Sequence, residues 1–469
     1  MMKDNADIRI DAELIKDGIS PNVISVLIDR HRQTHERYIK LKEYYQGEHA
    51  ILHREKISEY SVNNKLVANH AKYITDMTTA FFNGVPVEYM VSEGFDIEPI
   101  KNSYLEQTIS ALDSKLAKNA SICGRAYELV YSNSDSQPRS TFIQPTNGFV
   151  VYDDSAEQNK LFGVYYYNHI KLNGSLGKSE VLVVDRNQQY TFKGKSSSFS
   201  NLVPDKTEAH YFGKVPMIEY LNNDEAQGDF EQVSLLIDAY NIIMSDRVND
   251  KEQFVDAILF LMGVIISPKT AKKLKEERIL EASPDAKAEY LSKSLTEADI
   301  EILRKALKED IQRFSMVPDL SDEQFAGNLS GVAIQYKLLG FQQHVKNKEP
   351  LFSKGLRERF ELYNNYLNIK SHVPIVPPHR VDIKFNRNLP SNDLEISQVV
   401  NNLKNTVSDE TLLSIVSFVT DAKEERELMV KQKLEEIEQR IKEENMRLTA
   451  TGFDDDERKI DKLEVTDDE

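Results

Sequence analysis

The chain has 469 residues, 40 % hydrophobic and 9 % aromatic, enough for two to four domains with their own cores at roughly 150 residues each. Its formal charge is −17, with 59 Lys and Arg against 76 Asp and Glu. That excludes a protein that grips nucleic acid by neutralising phosphates, though not one that surrounds it without gripping. Cys123 is the only cysteine, so an intrachain disulfide and a thiolate zinc cluster are both excluded and a reducing compartment fits.

The N-terminal "MMKDNADIRIDAELIKDG" is charged throughout and has no apolar core, so no secretory leader is expected. In "SPNVISVLIDRHRQTHERYIKLKEYYQGEH", Ser20 is a plausible N-cap with Pro21 at the first helical position, and Gly47 ends the helix. A second helix is expected over about Asn64 to Asn83, stopping at "NGVP". From Val85 to about Tyr220 the pattern changes to short runs dense in Val, Tyr and Phe: "VPVEYMV", "AYELVYS", "FVVYDD", "FGVYYYNH", "EVLVVD" and "QQYTFKG". One helix, about Leu105 to Ser121, interrupts them. The combination predicts an α+β fold with antiparallel sheet.

A long helix is expected over about Asp229 to Met262. Apolar side chains recur at Val233, Ile237, Tyr240, Met244, Val248, Val255 and Ile258, on a rod of about 50 Å. The run "AILFLMGVIIS" is about 11 residues, short of the roughly 20 that span a bilayer, and reads as a buried helix end passing into a strand. Residues 263–294 read as a small strand-helix-strand excursion, and Leu295 to Ser315 as a returning amphipathic helix. Its start, Thr296 to Asp299, has the spacing of an N-terminal cap.

"VPDLSDEQ" follows, acidic and without a single Lys or Arg, then "FAGNLSGVAIQYKLLG", which opens as a loop and closes as a helix. Beyond Gly331 the apolar positions run Ile334, Leu338, Phe341 and Val345, and resume at Phe352, Leu356, Phe360, Tyr363 and Leu367. Pro350 between them must remove a helix hydrogen bond, which predicts one long helix kinked there. Val332, Tyr336 and Leu339 make a second stripe beside the first, more apolar surface than a lone helical hairpin buries; self-association into a ring would cover both. "SHVPIVPPHR" breaks the helix, "VDIKFNRNLP" alternates as a strand, and the remainder from about Ser391 is helical. The last helix places Leu434, Ile437, Ile441 and Leu448 at coiled-coil-like spacing, ahead of an acidic tail expected to be disordered.

The tests for chemistry fail one by one. "LNGSLGKS" ends like a phosphate loop, but only two residues separate Gly174 from Gly177, and the flanks read as strands of a hairpin. His31/His35 and His49/His53 stand at i, i+4, yet Arg32 and Ala50 occupy the place where a metalloprotease carries Glu; these are read as surface or capping histidines. Cys123 would be a nucleophile only beside a histidine and reads better as a buried structural residue. No enzyme is expected, and no metal or cofactor. A nuclease or an NTPase would need a complete phosphate loop or a metal-ligand set, and both are missing. A coiled-coil scaffold, suggested by residues 421–448, would be helical throughout, unlike the sheet-rich middle third.

Five blocks in order, "LKEYYQGEHAILHREK", "NNKLVANHAKYITDMTTAFFNGVPVEYM", "SDRVNDKEQFVDAILFLMGV", "LSDEQFAGNLSGVAIQYKLLGFQ" and "FNRNLPSNDLEISQVVNNLKNTVSDETLLSIV", resemble the portal (connector) proteins of tailed bacteriophages, in the branch typical of long-tailed phages of Gram-positive hosts. The resemblance runs from about Leu41 to Val430. It implies a ring of about twelve (or thirteen) subunits at one capsid vertex, the channel for double-stranded DNA. It further implies docking of the terminase large subunit and of head-completion or adaptor proteins, contact with major capsid and scaffolding proteins, and no membrane. The place would be the virion, and the host cytoplasm during assembly.

Mapped on the pattern, 1–228 would be a wing, 229–262 a stem helix, 263–294 a clip, 295–316 a second stem helix and 317–331 a tunnel loop. Residues 332–390 would return to the wing as the kinked helix and strand, 391–448 would be a helical crown, and 449–469 an acidic tail. Tunnel-loop residues Asp319, Asp322, Glu323, Gln324, Phe325, Asn328 and Gly331 would face DNA. The carboxylates would repel phosphate, with Gly327 and Gly331 as hinges. Val233, Ile237, Tyr240, Met244, Val248 and Ile258 would pack the stem. Lys269, Lys272, Lys273 and Lys275 in the clip either meet an acidic motor or adaptor surface or are simply solvated.

Overall fold

The computed structural model describes residues 7–450 apart from 57–60, 93, 256–257, 263–286, 292–296, 321–330, 388–392, 405, 417–418 and 420–421. Two units part between residues 388 and 389.

In the first unit, strand Ile8–Ile10 (β1) precedes Pro21–Arg32 (α1), capped by Ser20, whose Oγ accepts from Val23 N at 3.4 Å. The expected single first helix is two: α1 ends at Arg32, and His35–Gln46 (α2) restarts after Gln33 and Thr34. On either side of the break, His31 and His35 meet the same hydroxyl, that of Tyr166, each at 2.7 Å. Gly47 closes α2 at φ 100°, as its place in the sequence predicts.

His70–Asn83 (α3) starts six residues later than the pattern suggests. Strand Glu88–Val91 (β2) follows, then Glu98–Glu106 (α4) and Ile109–Cys123 (α5), two helices where one was expected. Thr108 separates them at φ 52°. At the end of α5, Gly124 has φ 83°, and a Cβ there would lie 1.8 Å from Ala226 O, so only glycine fits.

The sheet region holds Arg125–Ser132 (β3), Pro138–Ile143 (β4), Gly148–Asp153 (β5), Lys160–Ile170 (β6), Leu176–Val184 (β7), Gln188–Gly194 (β8), Leu202–Ala209 (β9) and Met217–Leu221 (β10). One six-stranded sheet runs β1-β5-β6-β7-β8-β9, antiparallel except for the β1–β5 pair, and a second runs β10-β3-β4. "LNGSLGKS" is indeed the β6–β7 hairpin, with Lys171 N bonded to Ser175 O. Strands β1, β4, β9 and β10 escaped the pattern. β9, "LVPDKTEA", is an exposed edge carrying Pro204 and charges, the composition that protects an edge and hides a strand. Inward residues of the large sheet (Phe149, Val151, Phe162, Val164, Val181, Val183) close a core with Ile24, Leu27 and Ile28 of α1.

Ser234–Val255 (α6) begins after a short 3-10 turn and ends before strand Ile258–Met262 (β11), so the expected rod to Met262 is a 22-residue helix followed by a strand. Strand Lys287–Leu291 (β12) pairs with β11, Ile258 opposite Leu291; Ile258 is therefore a strand residue and not part of the helical stripe. Glu297–Ser315 (α7), Gly331–Lys346 (α8) and Glu349–Ser371 (α9) follow. The kink expected at Pro350 is a full break at Asn347 and Lys348, with Pro350 in the first turn of α9, where its missing N–H costs nothing. Gly355 lets α9 approach Tyr220 on β10, since a Cβ would fall 2.4 Å from its ring. Val381–Lys384 (β13) pairs with β2.

The second unit holds Asp393–Leu403 (α10), Asp409–Ile415 (α11) and Ala422–Ala450 (α12). Ser408 caps α11, its Oγ accepting from Thr411 N at 3.3 Å. Leu434, Ile437 and Ile441 lie exposed along α12; the side chain of Leu448 and the tail beyond 450 lie outside the described residues.

Candidate functional site

Helix α6 is the axis of the first unit's joint region, and its three faces do different work. One face presents Asn241, Ser245 and Asn249, four residues apart and all buried. Each accepts a backbone N–H from an alternate residue of an extended segment: Asn249 Oδ1 from Asn64 at 2.7 Å, Ser245 Oγ from Leu66 at 2.9 Å and Asn241 Oδ1 from Ala68 at 2.8 Å. A period of four on the helix matches a period of two on an extended chain, and these bonds hold 64–68 out of helix. That is why α3 starts late. Asn241 Nδ2 also donates to His49 Nδ1 at 2.9 Å.

The second face meets α7. Arg247 pairs with Glu301 at 2.9 Å and Lys251 with Glu297 at 3.2 Å, while Arg304 forks onto Glu301 and donates to Tyr240 Oη at 3.3 Å. The Arg304 and Arg247 guanidiniums hold the Glu301 carboxyl down to about 2. Above them a cleft of about 400 Å³ opens between α3, α6 and α7, lined among others by His70, Tyr73, Tyr240, Arg304, Lys308 and Asp319. Just past α7, Tyr73 holds the chain at two points: its hydroxyl donates to Pro318 O at 2.9 Å and accepts from Leu320 N at 3.2 Å. Lys308 pairs with Asp319 at 2.6 Å. Residues 318–320 are thus fastened to α3 and α7 immediately before the acidic loop.

Two further joints are pinned to each other. Asp229, where the chain leaves β10 for α6, and Lys348, in the break between α8 and α9, form a buried ion pair with Nζ 2.5 Å from both carboxylate oxygens. Asn222 Oδ1 accepts from Lys348 at 2.9 Å, and Ser121 Oγ and Asn222 Nδ2 donate to Asp229 at 2.5 and 2.8 Å. Burial opposes ionisation of Asp229, but the Lys348 ammonium with His344 and Asn222 outweighs it, and the carboxyl lies well below its usual range. In α9, Arg359 is wholly buried, pairing with Glu128 at 2.8 Å and with Asp113 at 2.6 Å.

Of the residues singled out from sequence, Val233, Ile237 and Tyr240 are buried within the single chain, and Met244 and Val248 partly so. Asp319 is the loop carboxylate held by Lys308. Gly331 is the first residue of α8. Asp322, Glu323, Gln324, Phe325 and Asn328, and the lysines Lys269, Lys272, Lys273 and Lys275, lie outside the described residues. The reading of the histidines as surface or capping groups holds in part: His53 is exposed and His49, although buried, stands at the N-cap position of a 3-10 turn, whereas His31 is buried inside the fold. Burial, then the neighbouring His35, pushes His31 down to about 3, so it is neutral. Cys123 is buried as expected, and burial pushes its thiol up to about 11. Among the described residues no group of three or more His, Cys, Asp or Glu is placed to hold a metal, and no helix is long and apolar enough to cross a membrane. Sequence reasoning missed the Asn241-Ser245-Asn249 row and the Asp229–Lys348 pair; polar residues repeating every four positions inside an otherwise apolar helix were the available signal for the first.

The chain belongs to the family of phage portal proteins described as "Phage portal protein, SPP1 Gp6-like", matched over residues 24–445. It is similar to the portal protein of Bacillus phage SPP1, 24 % identical over 461 residues covering 92 % of this chain and 90 % of the relative. It is also similar to the portal protein of Clostridium phage phiCD119, 22 % identical over 439 residues covering 87 % and 95 %. Its role is that of a portal, a structural part of the virion in packaging of the phage genome at a capsid vertex.

Proposed function

We propose that about twelve copies form a ring whose bore encloses double-stranded DNA during packaging and ejection, and that residues 317–331 line the bore. The observation that carries this reading is the apolar surface left uncovered on the folded chain: Tyr336 and Leu339 on α8 stay exposed while Leu338, Phe341 and Val345 of the same helix are buried. A chain that is complete alone does not leave so many large apolar side chains along its long helices. In this arrangement 1–228 and 332–390 form the wing, 229–262 and 295–316 the stem, 263–294 the clip and 391–448 the crown. Tyr73 and Lys308 fasten the start of the tunnel loop, and because Lys308 neutralises Asp319, repulsion of DNA phosphate falls to Asp322 and Glu323. Twelve copies carry about −200 formal charges, a field that keeps DNA off the wall. The clip, with Lys269, Lys272, Lys273 and Lys275, docks the terminase large subunit and then a head-completion protein, while capsid and scaffolding proteins surround the wing in the host cytoplasm.

Negative-stain images of the purified chain test the ring: end-on annuli with a central hole of duplex width are expected, and a chain that remains single at every concentration overturns the reading. In a defined packaging assay, Asp322→Lys with Glu323→Lys is expected to slow or stall translocation, and an unchanged velocity removes the sliding account.

A further inference from the structure

The third face of α6, turned away from both α7 and the 64–68 segment, carries Leu235 and Ile242, 80 % and 45 % exposed, in line with Asp246. The side chain of Asp246 is 54 % exposed even though it pairs with Arg54. No Lys or Arg of α6 itself lies on this face, because Arg247 and Lys251 are turned to α7, and Arg54 alone reaches it, at Asp246, among the described residues. Helix α8 has the complementary character. Its outer side presents Tyr336 (74 % exposed), Leu339 (47 %), Gln343 and Lys346, and the helix contains no acidic residue at all.

Between Tyr336 and Gln343 on that side sits Gly340. It lies in mid-helix, with no positive φ to require it, and a Cβ built on it would meet nothing within 4 Å. Glycine is the poorest helix former after proline, so this position forgoes helix stability with no reason among the described residues. Such a glycine makes sense where another backbone or a large side chain comes close from outside. We infer that the Tyr336–Leu339–Gly340 face of α8 receives the Leu235–Ile242 face of α6 from a second copy. Apolar residues then meet apolar residues, Asp246 approaches the Lys346 end of α8, and Gly340 is the notch that admits the incoming side chains. The contact joins two different surfaces, so where each copy receives one neighbour on α8 and offers α6 to another, and the rotation closes, it builds a ring. It rests on the ring proposed above and specifies which faces build it.

Two experiments on the full chain decide it. Gly340→Leu is expected to leave the melting temperature of the dissociated subunit unchanged or higher, because the helix gains and no neighbour clashes. Its ring assembly should nevertheless need at least about tenfold more protein, since the notch is filled. Second, Ile242→Cys combined with Leu339→Cys should cross-link neighbouring copies under mild oxidation into ladders up to the full ring, while each single variant gives no link; buried Cys123 supplies no background. If rings form but Gly340→Leu assembles like the wild type, or either single cysteine links to itself, this pairing of faces is wrong and the ring stands. If the wild type forms no ring under any condition, the proposed function fails first and this inference with it.

Discussion

Lys348→Met is the sharpest probe of how the joints are held. The substitution keeps the length of the side chain and removes its charge, leaving Asp229 buried with hydrogen bonds from Ser121 and Asn222 but without its ammonium partner. Breaking one side of a buried pair costs about 3–5 kcal/mol. Unfolding entropy near 2.1 cal/mol/K per residue, over the 388 residues of this unit, gives about 0.8 kcal/mol/K, so the melting temperature should fall by roughly 4–6 °C at pH 7. The sign of the pH dependence follows from the carboxyl. In the wild type Asp229 is held below the unfolded value of about 3.9, so its contribution is fully present above that pH and is lost only as pH falls below it. In the variant the ammonium no longer offsets burial, which is opposed only by His344 and by the Ser121 and Asn222 hydrogen bonds, so the carboxyl rises and acidification relieves part of the cost. The gap between the two proteins should therefore narrow between pH 7 and pH 4.5, and Asp229→Asn added to Lys348→Met should recover at least half of the loss. Scanning fluorimetry at both pH values measures this. A gap that stays constant with pH, or a double variant weaker than Lys348→Met, refutes the account.

Ser245→Ala removes the acceptor of the Leu66 N–H and should cost about 1–3 kcal/mol, with faster amide exchange at Leu66 and Ala68 and unchanged exchange in the β6–β7 hairpin; equal protection in both proteins would mean that the row on α6 does not hold the segment. His31, neutral at a value of about 3 in the fold against about 6.5 unfolded, contributes stability that is complete above pH 6.5 and lost as pH falls toward 3. Wild-type stability should accordingly drop by roughly 2 kcal/mol more than that of His31→Gln between pH 7 and pH 5, read from urea unfolding, and parallel pH profiles would contradict it.

What the sequence showed and what it hid divide along a physical line. Elements set by local periodicity or by a cap were legible: Ser20 and Pro21 at the start of α1, Gly47 at the end of α2, the β5 to β8 meander, and the polar-breaking "SHVPIVPPHR" after α9. Two of the misjudged boundaries lie where a distant partner takes hold of the chain. The late start of α3 exists because α6 takes its backbone donors, and the break before α9 coincides with the lysine that reaches Asp229. A helix pattern cannot reveal which of its N–H groups is claimed from 185 residues away.

The same long-range logic explains an unusual distribution of polarity. Arg359, Glu128, Lys348 and Asp229 are buried, while Leu235, Tyr336 and Phe314 lie in the open. Hydrophobic burial is non-directional, so it holds helices together without fixing which residue of one meets which residue of the next. A buried ion pair is a poor source of stability but a strict one of register, because every misalignment leaves a charge unsolvated. Placing such pairs at the joints between helices would fix the angle at which α6, α8 and α9 leave one another, and with it the direction in which the uncovered apolar faces point. Closing a ring demands that direction to within a few degrees, since an angular error at one interface is repeated at every other. On this argument the buried charges and the exposed apolar residues serve one end, and a variant that loosens the Asp229–Lys348 pair without unfolding the chain should yield rings of mixed subunit number in electron micrographs; rings of a single size from Asp229→Asn with Lys348→Met would sever the connection.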